Sequence, residues 1–355
     1  MCYNILKIYG GVYIMQKLRM GIIGCGRISN CHFEAIKNNS DTMEISAICD
    51  INPTNLHKAQ QKTGANAYTN IDEMIKFEKL DCISICTPNG YHYENARKVL
   101  KAGINVIVEK PLTLSFQEGK KLMNLAKKKG KNVFLIHQNR FNPTIQCVKQ
   151  ALDAGAFGKI YMMTSNIFWY RDDDYYKNPA WHGSKKIDGG AFITQASHYT
   201  DIMNWFSESE LKSIYAMGKT RERKIETEDC GSAIIEWQNH IMGNVNLSVL
   251  TYNENYEGSI TIIGEKGFVK IGGVALNKIL DWKFEDETKT FCNVSYDVDS
   301  VYGFGHTPYY QSVAKTLINK EAFLISEKDA MNSLKLLCGI VDSMNKKKII
   351  KFKKK

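Results

Sequence analysis

Three groups of residues in this chain have the types and spacing to act together chemically. Gly24-Cys25-Gly26-Arg27-Ile28-Ser29 is a G-x-G-x-x-S run between an apolar strand-like segment and a helical one. Gly24 permits a tight turn, and Gly26 lets the backbone approach a pyrophosphate. The N–H groups of Arg27, Ile28 and Ser29 open a helix whose dipole favours phosphate. Asp50 ends the next strand, where a carboxylate accepts the hydroxyls of an adenosine ribose and repels a 2′-phosphate. Neither Ile51 nor Asn52 offers a compensating cation, so the spacing predicts NAD over NADP. Asp50 could also cap the following helix. Lys110 follows the apolar run Ile104–Glu109. A lysine at a strand end can hydrogen-bond a reacting hydroxyl and stabilise alkoxide charge, and burial beside an oxidised nicotinamide would lower its pKa. His198, on a helical run with Gln195 and Asp201 three residues to either side, is a candidate proton acceptor. Together these groups suit hydride transfer from an alcohol, with Lys110 steadying oxygen and His198 taking the proton.

The elements that must position these groups read as two domains. Residues 18–141 alternate apolar strands (Leu18–Ile23, Met43–Cys49, Asp81–Thr87, Ile104–Glu109, Asn132–His137) with helical segments, which predicts right-handed βαβ units and a parallel sheet. Residues 142–355 hold a predicted helix over Ala191–Phe206 and long strand-like runs between Lys159 and Phe284, followed by two helices. They predict an antiparallel or mixed sheet with one open face. The fold class is therefore α/β: a Rossmann dinucleotide-binding domain and an α+β substrate-binding and oligomerisation domain, preceded by an extension over 1–17. That open face predicts self-association as a homodimer or homotetramer.

Several segments carry a family pattern. Cys86-Thr87-Pro88-Asn89-Gly90-Tyr91-His92 follows one buried strand, Glu109-Lys110-Pro111-Leu112 the next, and Asp188-Gly189-Gly190 precedes Gln195-x-x-His198-x-x-Asp201. In this order the chain resembles the glucose–fructose oxidoreductase/inositol dehydrogenase (Gfo/Idh/MocA) family from about Leu18 onward. The resemblance implies cofactor contacts from Thr87, Pro88, Asn89, His92, Glu109, Lys110 and Gln138, and a cis bond before Pro111. It assigns acid–base chemistry to His198 and alcohol positioning to Lys110. The family often carries Asp or Asn four residues before that histidine; here Thr194 stands there, followed by Gln195.

Further stretches, including Trp181–Gly190, Asn253–Ile262, Gly264–Gly272, Asn277–Trp282 and Tyr302–Tyr310, resemble the branch of UDP-N-acetylglucosamine-type 3-dehydrogenases. That implies oxidation of a sugar C3 hydroxyl in nucleotide-sugar and surface-polysaccharide (lipopolysaccharide, O-antigen) biosynthesis. For some members it also implies reoxidation of bound NADH by 2-oxoglutarate. Arg140 and Arg171 suit a diphosphate or carboxylate fork. Trp181, Lys185, Thr194 and Gln195 complete the expected substrate set; Lys186 and the aromatic run Trp169 to Tyr176 lie nearby, and Gln138 and Asn139 are candidate sugar-hydroxyl ligands. A free polyol or monosaccharide such as inositol is the alternative substrate, and a non-catalytic NAD-responsive protein the distant one.

Composition narrows the remaining classes. Hydrophobic residues make up 44% and charged residues 24% of the 355, an ordinary folded composition. Seven of the ten surplus positive charges sit in the tail Lys346–Lys355, so nucleic-acid binding is not expected. No stretch suits a membrane span, and Met1–Ile14 makes a poor signal peptide. The ten cysteines form no C-x-x-C pair and no zinc-ligand spacing, which predicts no metal and a reducing cytoplasmic setting. Cys25 and Cys86 are expected near the cofactor as unactivated thiols, and His306 is a candidate either for lining the site or for a structural role in its loop.

Overall fold

The computed structural model describes the backbone of residues 7–9 and 12–14, and residues 16–178, 181–286, 294–298 and 300–353. Cys2, Cys292 and the last two lysines of the basic tail lie outside the described residues. The chain forms two compact units: residues 1–113, 117–136 and 306–327, and residues 114–116, 137–305 and 328–355.

The first unit begins with a short antiparallel pair, β1 (Lys7–Tyr9) and β2 (Val12–Ile14). There follow β3 (Leu18–Ile23), α1 (Ser29–Lys37), β4 (Met43–Cys49), α2 (Pro53–Thr63), β5 (Asn66–Tyr68), α3 (Ile71–Phe77), β6 (Cys82–Ile85), α4 (His92–Lys101), β7 (Asn105–Val108), α5 (Phe116–Lys129) and β8 (Val133–Leu135). The last six strands form one sheet in the order β5-β4-β3-β6-β7-β8, every pair parallel. Strands covered on both faces must be apolar throughout, and all four residues of β6 are buried. The predicted Rossmann sheet is therefore present. Its edge strand β5 and helix α3 were not anticipated; β5 is too short for periodicity to reveal. Helix α2 is capped by Asn52, whose side chain accepts the N–H groups of Thr54 and Asn55, with Pro53 at its first turn. The cap is thus Asn52, not Asp50.

The second unit contains α6 (Pro143–Asp153), β9 (Ile160–Phe168), α7 (Asp173–Lys177), α8 (Ala191–Thr194), α9 (Ser197–Ser207), β10 (Leu211–Lys219), β11 (Cys230–Trp237), β12 (Met242–Ser248), β13 (Glu257–Gly264), β14 (Gly267–Gly272) and β15 (Lys278–Phe284). Helix α10 (His306–Asn319) belongs to the first unit, and α11 (Glu327–Lys346) and β16 (Ile350–Lys351) complete the second. The sequence grouped α10 with the second domain. The structure packs it on α1, because Tyr310 buries its hydroxyl against His32 and Ser84 of the Rossmann layer.

The eight-stranded sheet runs β15-β14-β13-β9-β12-β11-β10-β16 and is mixed: β12 and β9 are parallel, the other pairs antiparallel. One face carries Ile214, Ala233, Ile235, Val245, Leu247, Ile167, Ile260, Ile262 and Val269 into the core, which also takes in Ile202, Met203 and Phe206 of α9. The other face is satisfied by a cross-strand polar ladder: Ser232 Oγ donates to Asn246 Oδ1 (2.8 Å), Asn246 Nδ2 to Asn166 Oδ1 (3.0 Å), and Asn166 Nδ2 to Glu257 Oε1 (3.3 Å). Apolar residues on this face, Tyr215, Met217, Ile234, Ile263, Phe268 and Leu280, remain exposed. The helix predicted over Ala191–Phe206 is two helices, broken at Gln195-Ala196.

Seven of the described cysteines are free, but Cys147 on α6 is disulfide-bonded, against the expectation of reduced thiols throughout. Among the described residues no helix is long and apolar enough to cross a membrane.

Candidate functional site

In the first unit the dinucleotide loop is built by the backbone. Gly24 has φ +94°, and a Cβ there would lie 2.7 Å from the Cys86 backbone, so only glycine fits. A Cβ on Gly26 would meet nothing within 4 Å, leaving open the approach a pyrophosphate needs. The N-terminus of α1 has no side-chain cap hydrogen bond, so its N–H groups are available to an anion. Arg27 is exposed and Ile28 half-buried. Ser29 is buried and donates from Oγ to the Gly26 carbonyl (2.6 Å), tying the loop to its helix. Asp50 accepts the Cys25 N–H at Oδ2 (2.6 Å) and the Asn52 N–H at Oδ1 (2.7 Å), so it braces the glycine loop while keeping lone pairs for ribose hydroxyls. These features fit a dinucleotide.

The next two strand ends are stapled to each other. His92 places Nε2 2.8 Å from the Thr87 carbonyl and Nδ1 2.7 Å from the Pro111 carbonyl. Burial lowers its pKa, so the neutral ring donates to one of the two. His92 therefore positions the loops from within; with both nitrogens occupied it is not the direct cofactor ligand expected. Thr87 Oγ1 accepts from Asn95 (3.2 Å), Pro88 precedes a short turn, and Asn89 is buried in that turn. Lys110 is half-buried, and its peptide bond to Pro111 is cis.

Glu109 is likewise internal. Its Oε2 accepts the Lys110 N–H (3.0 Å), its Oε1 lies 3.0 Å from His32 Nε2, and His306 Nε2 is 3.8 Å away. His32 Nδ1 meets the Tyr310 hydroxyl (2.6 Å), which meets Ser84 Oγ (2.7 Å). Burial would raise the Glu109 pKa, but the two imidazoles outweigh it and bring the carboxyl well below its usual range. The donor atoms of His32, Glu109 and His306 lie within 4.8 Å of one another, a grouping a metal ion could use, and no sequence spacing announced it. The completed hydrogen-bond chain reads first as a brace for the strand end that carries Lys110. Burial raises the Cys25 thiol to about 12 and the Cys86 thiol well above its usual value, so neither is an activated nucleophile.

In the second unit, His198 sits half-buried on the first turn of α9. The Gln138 side-chain amide nitrogen lies 3.4 Å from His198 Nε2. The donor in this pair is set by the imidazole tautomer and the orientation of the amide. Below lies a buried charge cluster. Arg140 Nε and Nη2 donate to the two oxygens of Asp201 (2.8 and 2.7 Å), and His137 Nε2 is 3.4 Å from the same carboxylate. The His137 and His198 rings meet edge to face at 6.0 Å. Burial alone would raise the Asp201 pKa; Arg140 more than compensates and holds it down. Arg140 is completely buried, so it is not the substrate fork the sequence suggested. Asp201 serves Arg140 rather than acting as the dedicated partner of His198. Sequence reasoning passed over His137; only its place at a strand end hinted at a role.

Arg171, Trp181 and Gln195 are brought together. The Trp181 ring lies 3.8 Å from His182, which stacks on Tyr175 at 4.2 Å. Gln195 Nε2 donates to the Tyr175 hydroxyl (3.0 Å), and Arg171 lies over the Trp169 and Tyr175 rings. Lys185 and Lys186 stay exposed, and Thr194 Oγ1 donates back to the Gly190 carbonyl (2.9 Å). Among the described residues, Asn139 Oδ1 and Gln138 Oε1 are buried without a hydrogen-bond partner. Glu228 was not anticipated. It accepts the Phe192 N–H (2.9 Å) and sits where a Cβ on Gly190 (φ +113°) would come within 2.7 Å, so it shapes the approach to α8. Burial raises its pKa to about 7.

Comparisons agree with this architecture. Residues 18–137 match the NAD-binding Rossmann fold of the Gfo/Idh/MocA oxidoreductase family, and residues 145–270 match its C-terminal domain. The chain is 40% identical to the WlbA dehydrogenase of Bordetella pertussis, solved with NADH and UDP-GlcNAcA. The TM-score is 0.91, over 96% of this chain and 99% of that one. The WlbA dehydrogenase of Chromobacterium violaceum, solved with the same two ligands, is 36% identical with a TM-score of 0.89, over 95% and 96%. The myo-inositol 2-dehydrogenase of Thermotoga maritima is 25% identical over 257 residues, 70% of this chain and 74% of that one. The glycine loop, the Glu109-Lys110-Pro111 strand end and the His198 helix are thus parts of an NAD-dependent oxidoreductase, and the chain belongs to the Gfo/Idh/MocA family.

Proposed function

We propose that the protein oxidises the C3 hydroxyl of a UDP-N-acetylhexosamine-type sugar, UDP-N-acetylglucosaminuronic acid first among them, to the 3-keto sugar. The reading is carried by the 40% identity, over nearly the whole of both chains, to a dehydrogenase solved with NADH and UDP-GlcNAcA. Gly24, Gly26, Arg27, Ile28, Ser29 and Asp50 would hold the cofactor, with Thr87, Pro88, Asn89, Lys110 and Gln138. NAD supplies the nicotinamide C4 that accepts hydride. His198 takes the hydroxyl proton on its imidazole. The Lys110 ammonium would stabilise the charge that develops on an alkoxide. Arg171, Trp181, Thr194, Gln195 and the exposed Lys185 contact the sugar nucleotide.

The product fits a cytoplasmic route to a surface polysaccharide such as O-antigen, and 2-oxoglutarate would reoxidise bound NADH. A homodimer or homotetramer would cover the open sheet face; light scattering showing a monomer at micromolar concentration would refute that. A second reading, oxidation of a free polyol, is favoured by the inositol-dehydrogenase relatives. Turnover measured on UDP-GlcNAcA, UDP-GlcNAc, myo-inositol and scyllo-inositol separates the two. The nucleotide sugars should be oxidised and the inositols not; the reverse pattern replaces the first reading with the second.

A further inference from the structure

We propose that Arg171 is a carboxylate receptor, and that it makes the protein select sugar acids over the corresponding neutral sugars. This rests on the reading that the substrate is a nucleotide-linked sugar. The guanidinium is half-buried, and among the described residues it has no ion pair. Its Nη1 edge is fixed: it donates to the Tyr170 carbonyl (2.5 Å) and to Asn255 Oδ1 (3.0 Å). The other edge is only loosely engaged, by Gln195 and the Tyr175 hydroxyl. Among the described residues Nε is buried without a hydrogen-bond partner, and Nη2 makes a long 3.4 Å contact to Gln195 Oε1.

A cation taken from water without a counter-charge is costly, so the arrangement favours an anion at that edge. The neighbouring acids are committed elsewhere. Asp172 accepts the Tyr175 N–H as the cap of α7, and Glu257 faces Ser259, Asn166 and Lys270.

The Nε–Nη2 edge is the side-on fork that pairs two coplanar oxygens. The Trp169 and Tyr175 rings lie 4.9 and 5.2 Å from the guanidinium carbon, so the cation is lined by aromatic faces. A carboxylate that pairs with this edge would replace the Gln195 oxygen. Gln195 lies three residues before His198, so an anion held here is anchored close in sequence to the proposed base. Two carboxylates have this chemistry, the sugar acid and 2-oxoglutarate.

The test measures dissociation constants of UDP-GlcNAcA and UDP-GlcNAc on the NADH-loaded protein. Wild type, Arg171→Gln and Arg171→Lys are compared. Turnover of each sugar with NAD⁺, and oxidation of bound NADH by 2-oxoglutarate, are measured alongside. Arg171→Gln should weaken UDP-GlcNAcA by roughly 10- to 100-fold, the range for a charge-assisted pair. It should leave UDP-GlcNAc within about twofold, and Arg171→Lys should recover part of the loss. A larger loss for 2-oxoglutarate than for the sugar acid would make the oxo acid the main occupant. Equal weakening of both sugars would mean a diphosphate or structural role, and unchanged affinity for both carboxylates no role; either overturns the proposal. Wild-type binding of neither carboxylate also overturns it. Selective weakening without turnover in the wild type would keep Arg171 as the receptor and defeat the proposed reaction instead.

Discussion

The two units hold their chemical groups by different means, apart from the buried His32–Glu109–His306 network that braces the Lys110 strand end in the first. In the first, the shape is carried by backbone: a glycine that tolerates no side chain, a carboxylate that accepts two main-chain N–H groups, and an imidazole between two main-chain carbonyls. In the second, it is carried by buried side-chain charge, with Arg140 against Asp201 and Glu228 against the turn into α8. Backbone devices need few residues close in sequence and leave little to titrate. Buried charges bring together residues far apart in sequence, and they cost stability when a partner is lost.

That contrast can be tested by breaking each side. The largest effect should come from the groups that act on substrate. Lys110→Ala and His198→Ala should each lower kcat by about 10²–10⁴, with NAD affinity by titration near wild type in His198→Ala and weakened much less than kcat in Lys110→Ala. Wild-type turnover in both variants would remove them from the chemistry. Next in size, Asp201→Ala should destabilise the protein by about 3–5 kcal/mol in urea unfolding, because it strands Arg140 in the interior. A loss no greater than for an exposed pair such as Asp72–Lys98 would show that the buried cluster is not what holds the second unit.

Glu228 tests the same idea through pH. Its folded pKa is raised from 4.5 to about 7, so between those values the folded state binds more proton than the unfolded one. Stability therefore falls as pH rises through that window, by about 3 kcal/mol for this group. Glu228→Gln should flatten that decline, gaining on the wild type from pH 4.5 to 8; parallel curves would place the ionised carboxylate outside any penalty. The smallest effect belongs to the backbone side. Gly24→Ala should cost roughly 1–3 kcal/mol of strain and appear mainly as a raised KM for NAD, with kcat less affected.

The same division explains what the sequence could reveal. The glycine loop, Asp50, the Lys110 strand end and five of the six strands of the parallel layer were legible because each is written in a short local stretch. The long strands of the mixed sheet were legible too, since alternation marks one buried face. The break at Gln195-Ala196 was not, as both helices keep the apolar face one helix would. Nor was the burial of Arg140: an arginine after a strand reads as a ligand for anions until Asp201, far along the chain, is known to face it. The His32–Glu109–His306 cluster and the return of α10 to the first unit depend on contacts between segments that no periodicity links.

The central claim is oxidation of a nucleotide sugar, and mass spectrometry of one reaction tests it most directly. Purified protein is incubated with NAD⁺, 2-oxoglutarate and UDP-N-acetylglucosaminuronic acid, with a control lacking 2-oxoglutarate. The account predicts that the sugar nucleotide loses the mass of two hydrogens, and that conversion passes one equivalent of enzyme only when the oxo acid is present. A sugar nucleotide of unchanged mass, on protein shown by spectroscopy to hold NAD, would contradict it.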